Sequence, residues 1–203
     1  MYRRLCAVIL VATAVGMSPA FAGTITSDAS KFVHDLGDQA ISALSQKQDG
    51  PAEREQKFEK ILNQFFDVPV IARFALGRHW RKASVEQRKD YVTLVGKYIA
   101  RSYAVKLGGH TGEQLRVLSE RALSNKRDVM VETRIERPKG PPIKVDWRVR
   151  TRKDSKAIID VMVEGVSLVV AQRNEFASVV RRNGLNGLLD ALRKHTQKAS
   201  TAN

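Results

Sequence analysis

Three side chains that could take part in catalysis lie close together in the sequence DVMVEGVSLVV, near the end of the most apolar segment of the chain. They are Asp160, Glu164 and Ser167. A single carboxylate of shifted pKa can act as a general acid or base, so one hypothesis is a small exported enzyme that uses Asp160 or Glu164. Ser167 lacks the second glycine of the G-x-S-x-G nucleophile elbow. The alternative is a structural role, in which Glu164 forms a salt bridge with Arg173 or Lys106, or contacts a helix terminus.

Metal and cofactor motifs are missing from the sequence. It contains no P-loop and no G-x-G-x-x-G pattern. The histidines are scattered and lack the paired spacing of metal ligands, and the only cysteine is Cys6. We therefore expect no metal and no cofactor. The four histidines are His34, His79, His110 and His195.

The first 22 residues have the pattern of a secretory signal peptide. Arg3 and Arg4 precede an apolar run from Leu5 to Val15, and Ala20-Phe21-Ala22 resembles a cleavage site. Cleavage before Gly23 would remove Cys6 and leave one domain over residues 23–197, followed by a loose polar tail over 198–203. The sequence therefore predicts export to the periplasm.

The chain is strongly basic, with a formal net charge of +14. Removing Arg3 and Arg4 with the signal peptide would lower this to +12. Such an excess favours anionic partners such as lipid surfaces or acidic proteins, although it could also only keep the surface solvated. Export argues against nucleic acid. The basic residues that we expect to contact partners are Arg78, Arg81, Arg148 and Arg150, and another basic pair is Arg181 with Arg182.

The first part of the chain has the periodicity of amphipathic helices. Apolar residues recur at steps of three and four from Asp28 to Lys47, and again from about Ala52 to Phe66. Asp67 is placed to cap a short helix that Gly77 ends.

A capping box formed by Ser84 and Gln87 predicts a long helix from Val85 to about Leu107. Its apolar residues cover a wide arc, so we expect it to be covered on more than one side. Helical spacing returns from about Val169 to Arg182. Gly184 is placed to stop that helix, and Asn186 to cap a last one.

Between the helical regions the period changes to two. Apolar and polar residues alternate over Val129–Ile135, Ile143–Val149 and Ala157–Val163, with turns between them, and Gln114–Leu123 is a further possible strand. One face of each strand would be apolar and the other charged, as in an antiparallel sheet. The predicted fold class is α+β, with a curled antiparallel sheet of about four strands packed against helices and enclosing an apolar cavity.

Several segments in combination resemble the MlaC, or toluene-tolerance, family. They are RFALGRHWRKASVEQRKDY (73–91), the strand IKVDWRVR (143–150) and DVMVEGVSLVVAQRNEFASVVRRNGLNGLLDALRK (160–194). The resemblance implies a periplasmic carrier of glycerophospholipid, without catalytic residues. It also implies partners, namely an outer-membrane lipoprotein complex and the substrate-binding subunit of an inner-membrane ABC transporter. Because relatives of this family occur beside hopanoid-synthesis genes, a carrier of hopanoid or another isoprenoid lipid is the alternative, and we expect a monomer.

A lipid carrier needs a dry cavity, because each methylene in water costs about 0.8 kcal/mol. The apolar strand rows and the helices could line it, although any one of these residues could equally be ordinary core. The residues expected to contact acyl chains are Phe74, Leu76, Tyr98, Tyr103, Val131, Val145, Trp147, Val149, Val161 and Val163.

Overall fold

The structure, a computed structural model, describes residues 28–44, 49–107, 112–125, 127–152 and 155–197. The predicted signal peptide and polar tail lie outside the described residues. So do two of the four residues of the turn predicted at 152–155, and the glycine pair predicted to end the long helix.

Within the described residues, four helices precede the sheet. They are α1 (Asp28–Leu44), α2 (Pro51–Phe65), α3 (Val68–Leu76) and α4 (Val85–Leu107), with a 3₁₀ turn at Gly77–Lys82 between the last two. The helix predicted to end at Lys47 is described only to Leu44.

The predicted helix signals around α3 and α4 are confirmed. The Asp67 carboxylate accepts a hydrogen bond from the Val70 amide at 3.1 Å, and Gly77 ends α3 with a positive φ of 58°. Ser84 and Gln87 exchange the two hydrogen bonds of a capping box, at 3.0 and 3.1 Å. As expected from its wide apolar arc, α4 packs against three neighbours, namely α2, α3 and α5.

A meander of five antiparallel strands follows, in the spatial order β1-β2-β3-β4-β5. The strands are β1 (Gln114–Ala122), β2 (Asp128–Glu136), β3 (Ile143–Arg152), β4 (Ser155–Val163) and β5 (Val166–Ser167). The α+β prediction is therefore confirmed, and the fifth strand, only two residues long, was not predicted. Register shifts in β1 and between β3 and β4 mark irregularities of the kind that bend a sheet.

The register separates an inner apolar face from an outer charged face. Val131, Trp147 and Val161 are cross-strand partners on the inner face. The outer face carries pairs such as Asp128 with Arg150. Helices cover the inner face, with α1 against β1 and β2, and α2, α3 and α5 against β4.

The last helix, α5 (Leu168–Gln197), changes direction at Gly184, whose φ of 70° and ψ of 178° are not helical. This confirms the predicted stop. Asn186, predicted to cap the last helix, accepts a hydrogen bond at 2.9 Å from the Gln87 side chain of α4. The contact links the two longest helices.

Candidate binding cavity

Asp160 and Ser167 hold together the junction between β4 and α5. The Ser167 hydroxyl donates to Asp160 Oδ2 at 2.6 Å and accepts from the Val170 amide at 3.1 Å, as a helix N-cap does. Asp160 Oδ1 also accepts from the amides of Val161 and Val169, at 2.8 and 3.3 Å. The two side chains thus satisfy the first turn of α5 rather than activating each other.

Glu164 has a structural contact in the turn between β4 and β5. Its Oε1 accepts a hydrogen bond from the Lys144 amide at 2.8 Å, and its own amide donates to the Lys144 carbonyl at 3.0 Å. Glu164 and Gly165 both have positive φ, at 49° and 80°, and a glycine adopts this turn conformation without steric cost. The expected salt bridge to Arg173 is wrong, because the Arg173 guanidinium lies over the Phe74 ring, 5.2 Å from its centroid. The Lys106 side chain lies outside the part that the structure describes.

A cavity of about 460 Å³ lies between the inner face of the sheet and the helices. This volume is within the range of about 300–1,000 Å³ that is typical of ligand pockets. Its wall is almost entirely apolar, and it is partly open to solvent. The sheet contributes Leu115, Ile135, Ile143, Val145, Trp147, Val161 and Val163; the helices contribute Leu36, Ala40, Ile41, Phe58, Ile61, Leu62, Ile71, Ala75, Val95, Ile99, Tyr103, Leu168 and Val169.

Five of the residues expected to contact lipid line this cavity. Val145, Trp147, Val161 and Val163 come from β3 and β4, and Tyr103 comes from the end of α4. They meet because β3 and β4 pair in register, with Val145 opposite Val163 and Trp147 opposite Val161.

The other five expected residues do not line it. Val131 and Val149 are fully buried in a core cluster with residues of α1 and α2. Leu76 and Tyr98 face the core between α3, α4 and α5, where the Tyr98 ring lies 6.0 Å from that of Phe176. Phe74 is 47% exposed on the outer side of α3. The periodicity identified these residues as apolar, but helix packing decides which apolar face meets the cavity.

Sequence reasoning missed the contribution of α1 and α2 to the cavity wall. Leu36, Phe58, Ile61 and Leu62 are buried there. They belong to the apolar stripes that predicted these helices, so those stripes were the only sequence feature that could have indicated their place in the wall. The sequence does not indicate that the stripes border an opening rather than a filled core.

The polar groups in the wall are few and mostly satisfied. The Trp147 indole donates to the Thr133 hydroxyl at 3.0 Å, and that hydroxyl donates to the Val145 carbonyl at 2.7 Å. Burial, and secondarily Tyr98, raises the pKa of Tyr103, which therefore stays neutral at physiological pH. The wall thus suits hydrocarbon.

Two of the four basic residues expected to contact partners are held by a carboxylate of the protein itself. Asp128, fully buried on the outer sheet face, accepts hydrogen bonds at 2.8 Å from the Nε atoms of both Arg148 and Arg150. The hydrogen bonds from Arg150, followed by those from Asn125 and Arg148, overcome the effect of burial and hold the pKa of Asp128 far below its ordinary value. Arg78 and Arg81, in contrast, are exposed in the 3₁₀ turn after α3.

Within the described ranges, no cluster of three or more metal-ligating side chains occurs. None of the helices described there is long and apolar enough to cross a membrane.

This protein has a helical layer and an antiparallel sheet with an open apolar cavity between them. The arrangement is that of a protein that can bind an apolar molecule. The model of the MlaC protein family matches residues 34–194, so this chain belongs to the MlaC family. The sequence resemblance to this family is thereby confirmed.

Several known proteins are similar to the chain, including the following two. One is the intermembrane phospholipid transport system binding protein MlaC of Haemophilus influenzae, 21% identical over 122 residues, which are 59% of this chain and 57% of that protein. The chain therefore matches little more than half the length of this relative. The other is the solved structure of a phospholipid-binding protein from Ralstonia solanacearum in complex with a phospholipid. It matches with a TM-score of 0.72 and 24% identity, over 86% of this chain and 100% of that one. It shares the fold.

Proposed function

We propose that this protein is an exported lipid carrier that holds a glycerophospholipid by its acyl chains in the cavity between sheet and helices. The observation that carries the proposal is the apolar wall around about 460 Å³ of open space. Moving a lipid with about 30 methylenes through water without a carrier would cost on the order of 20 kcal/mol of free energy. A cavity that keeps the chains dry removes much of this barrier.

The comparisons support the phospholipid as cargo. The Haemophilus relative is named for intermembrane phospholipid transport, and the Ralstonia protein was solved with a phospholipid. We propose that the carrier works in the periplasm between an outer-membrane lipoprotein complex and an inner-membrane ABC transporter, and so helps to maintain the asymmetry of the outer membrane. The protein has no catalytic role in this scheme, since Asp160, Glu164 and Ser167 serve the turn and the helix cap.

Docking to these partners is assigned to Arg78 and Arg81 rather than to Arg148 and Arg150. The first two are exposed, whereas Asp128 already neutralises part of the charge of the second pair. Acidic surfaces are the expected complement of such exposed guanidinium groups.

The first test is native mass spectrometry of protein purified from the periplasm without detergent, followed by lipid extraction and identification. We expect a one-to-one complex with cellular phospholipid. A polycyclic isoprenoid in its place would identify the cargo as hopanoid-like. An empty protein that also takes up no phospholipid from vesicles would refute the carrier.

A cavity-filling variant links the bound lipid to this cavity. Val161 lines the wall and is half-buried, whereas Val166, five residues on, is 60% exposed in β5. Val161→Trp should reduce the bound phospholipid several-fold because its indole occupies space needed by the chains. Val166→Trp is the control and should bind normally. Equal lipid content in both variants would place the lipid elsewhere.

A further inference from the structure

One basic side chain lies in the otherwise apolar wall. Arg137 follows the last residue of β2 and is half-buried at the rim of the cavity. Among the lining residues that the structure describes, the other charged side chains are carboxylates, those of Glu113 and Asp160. Arg137 is therefore the one cation among the described residues of this wall.

The turn that joins β2 to β3 (residues 137–142) fixes the position of the Arg137 guanidinium. Its Nε donates to the Pro141 carbonyl at 2.8 Å, and its Nη2 donates to the same oxygen. Gly140, with a φ of 88°, lies directly against the group, since a Cβ there would stand 3.2 Å from Nη2. The guanidinium is thus held by a neutral carbonyl that leaves its charge uncompensated.

Most of the hydrogen-bonding capacity of Arg137 is unused. A guanidinium has five N–H donors, and two are directed at the Pro141 carbonyl. No carboxylate of the described residues lies within 4.0 Å of it. An arginine with this arrangement presents donors in the planar geometry that matches a phosphate.

The turn lies at the end of the sheet where the cavity wall reaches the surface. The neighbouring lining residues there are Gln114, which is exposed, and Ile143, which is half-buried. Pro138 of the turn approaches Gly112, just before β1. The deepest lining residues, such as Ala75 and Val95, are apolar and almost fully buried in α3 and α4. Arg137 therefore stands at the rim of a wall whose interior is apolar.

We infer that Arg137 binds the phosphodiester group of the cargo at the cavity rim, which makes the site selective for anionic phospholipid over neutral lipid. This inference rests on the proposed function. The acyl chains occupy the apolar interior, and the guanidinium donates its remaining N–H groups to the phosphate oxygens. Partial burial strengthens this contact relative to a fully hydrated one.

The test compares two ligands with identical acyl chains, phosphatidylglycerol and diacylglycerol, on delipidated protein. We expect the wild type to prefer phosphatidylglycerol. Arg137→Gln should weaken phosphatidylglycerol binding by about 10- to 100-fold and leave diacylglycerol binding unchanged, since hydrogen bonds to charged groups contribute on that scale. Arg137→Lys keeps the charge but not the planar fork and should show a smaller loss.

The matched control is Arg134→Gln, three residues earlier on β2, where the side chain is exposed and does not line the cavity. It should bind both ligands like the wild type. Inorganic phosphate alone should neither bind Arg137 measurably nor compete with phosphatidylglycerol. Competition by inorganic phosphate at similar concentrations would make free phosphate, not a lipid headgroup, the ligand.

The outcomes separate the two proposals. A wild type that takes up neither ligand refutes the carrier itself. A wild type that binds both ligands equally, with Arg137→Gln unchanged, leaves the carrier intact and overturns the role of Arg137. Parallel loss of both ligands in Arg137→Gln and in Arg137→Lys would show that Arg137 only shapes the turn, and would also overturn it.

Discussion

The charge cluster on the outer sheet face gives a sharp stability prediction. The Asp128 side chain is fully buried and accepts hydrogen bonds from Arg148, Arg150 and Asn125. In Asp128→Asn the two guanidinium groups lose their counter-ion and the amide can accept only part of these bonds. Breaking a buried ion pair costs about 3–5 kcal/mol. Because the arginine side chains remain 37% and 28% exposed and can be rehydrated, we expect a loss of about 2–3 kcal/mol of the free energy of unfolding.

Asp146 provides a matched control on the same face. It is also buried, but in the part of the chain that the structure describes its Oδ1 has no hydrogen-bond partner, and its Oδ2 lies 3.5 Å from the exposed Lys144 ammonium. Asp146→Asn removes little favourable interaction, so its free energy of unfolding should stay within about 1 kcal/mol of the wild type. Urea unfolding of the three proteins at pH 7 measures both values.

The pH dependence of the free energy of unfolding tests the same charge cluster in a second way. Because the pKa of Asp128 is lowered in the folded protein, the stability that it contributes is complete above the unfolded pKa of about 3.9 and is lost as pH falls towards the folded pKa. The difference between wild type and Asp128→Asn should therefore be constant above about pH 5 and smaller by about 1 kcal/mol at pH 3. A difference below about 0.5 kcal/mol at pH 7, or one that grows on acidification, would refute the reasoning.

Two further predictions concern a buried hydroxyl and the exposed cations. Tyr91 is fully buried between α4 and α5, burial raises its pKa, and its hydroxyl has no hydrogen-bond partner among the described residues. Tyr91→Phe should therefore leave the thermal unfolding temperature unchanged or raise it, equivalent to about 0–1 kcal/mol. A clear fall would show that the hydroxyl has a stabilising partner. The double variant Arg78→Glu and Arg81→Glu should keep its bound lipid but transfer it at least several-fold more slowly to membranes that contain the partner complexes. The difference from the wild type should decrease at high salt. Transfer at the wild-type rate would show that this turn is not part of the docking surface.

The sequence determined the elements of the fold closely. The capping residues Asp67 and Ser84 fixed two helix starts, because their side chains satisfy backbone amides that the helix itself leaves unpaired. The change of period after Gly112 marked the sheet, because side chains alternate between the two faces of a strand. These signals are local, so a single sequence contains them.

The cavity wall could be predicted only in part. Val145, Trp147, Val161 and Val163 were identified because the alternation of their strands marks one face of the sheet. Val131 lies on the same face, yet it is buried in a core cluster beneath α1 and α2. Val131 is the cross-strand partner of Trp147, which lines the cavity, so neither the face nor the register decides between cavity and core. The placement of each helix over the sheet decides it.

The roles of the charged residues could likewise be predicted only in part. Arg148 and Arg150 were expected to meet partners because they form a basic concentration in the sequence, but the sheet register brings Asp128 between them from the neighbouring strand. Arg137 received no role from the sequence, and only the turn after β2 places it at the cavity rim. The sequence by itself determined which segments fold into helices and strands, and which face of each strand is apolar. Only the tertiary structure decided which apolar faces border open space and which charges are compensated, because both depend on contacts between residues far apart along the chain.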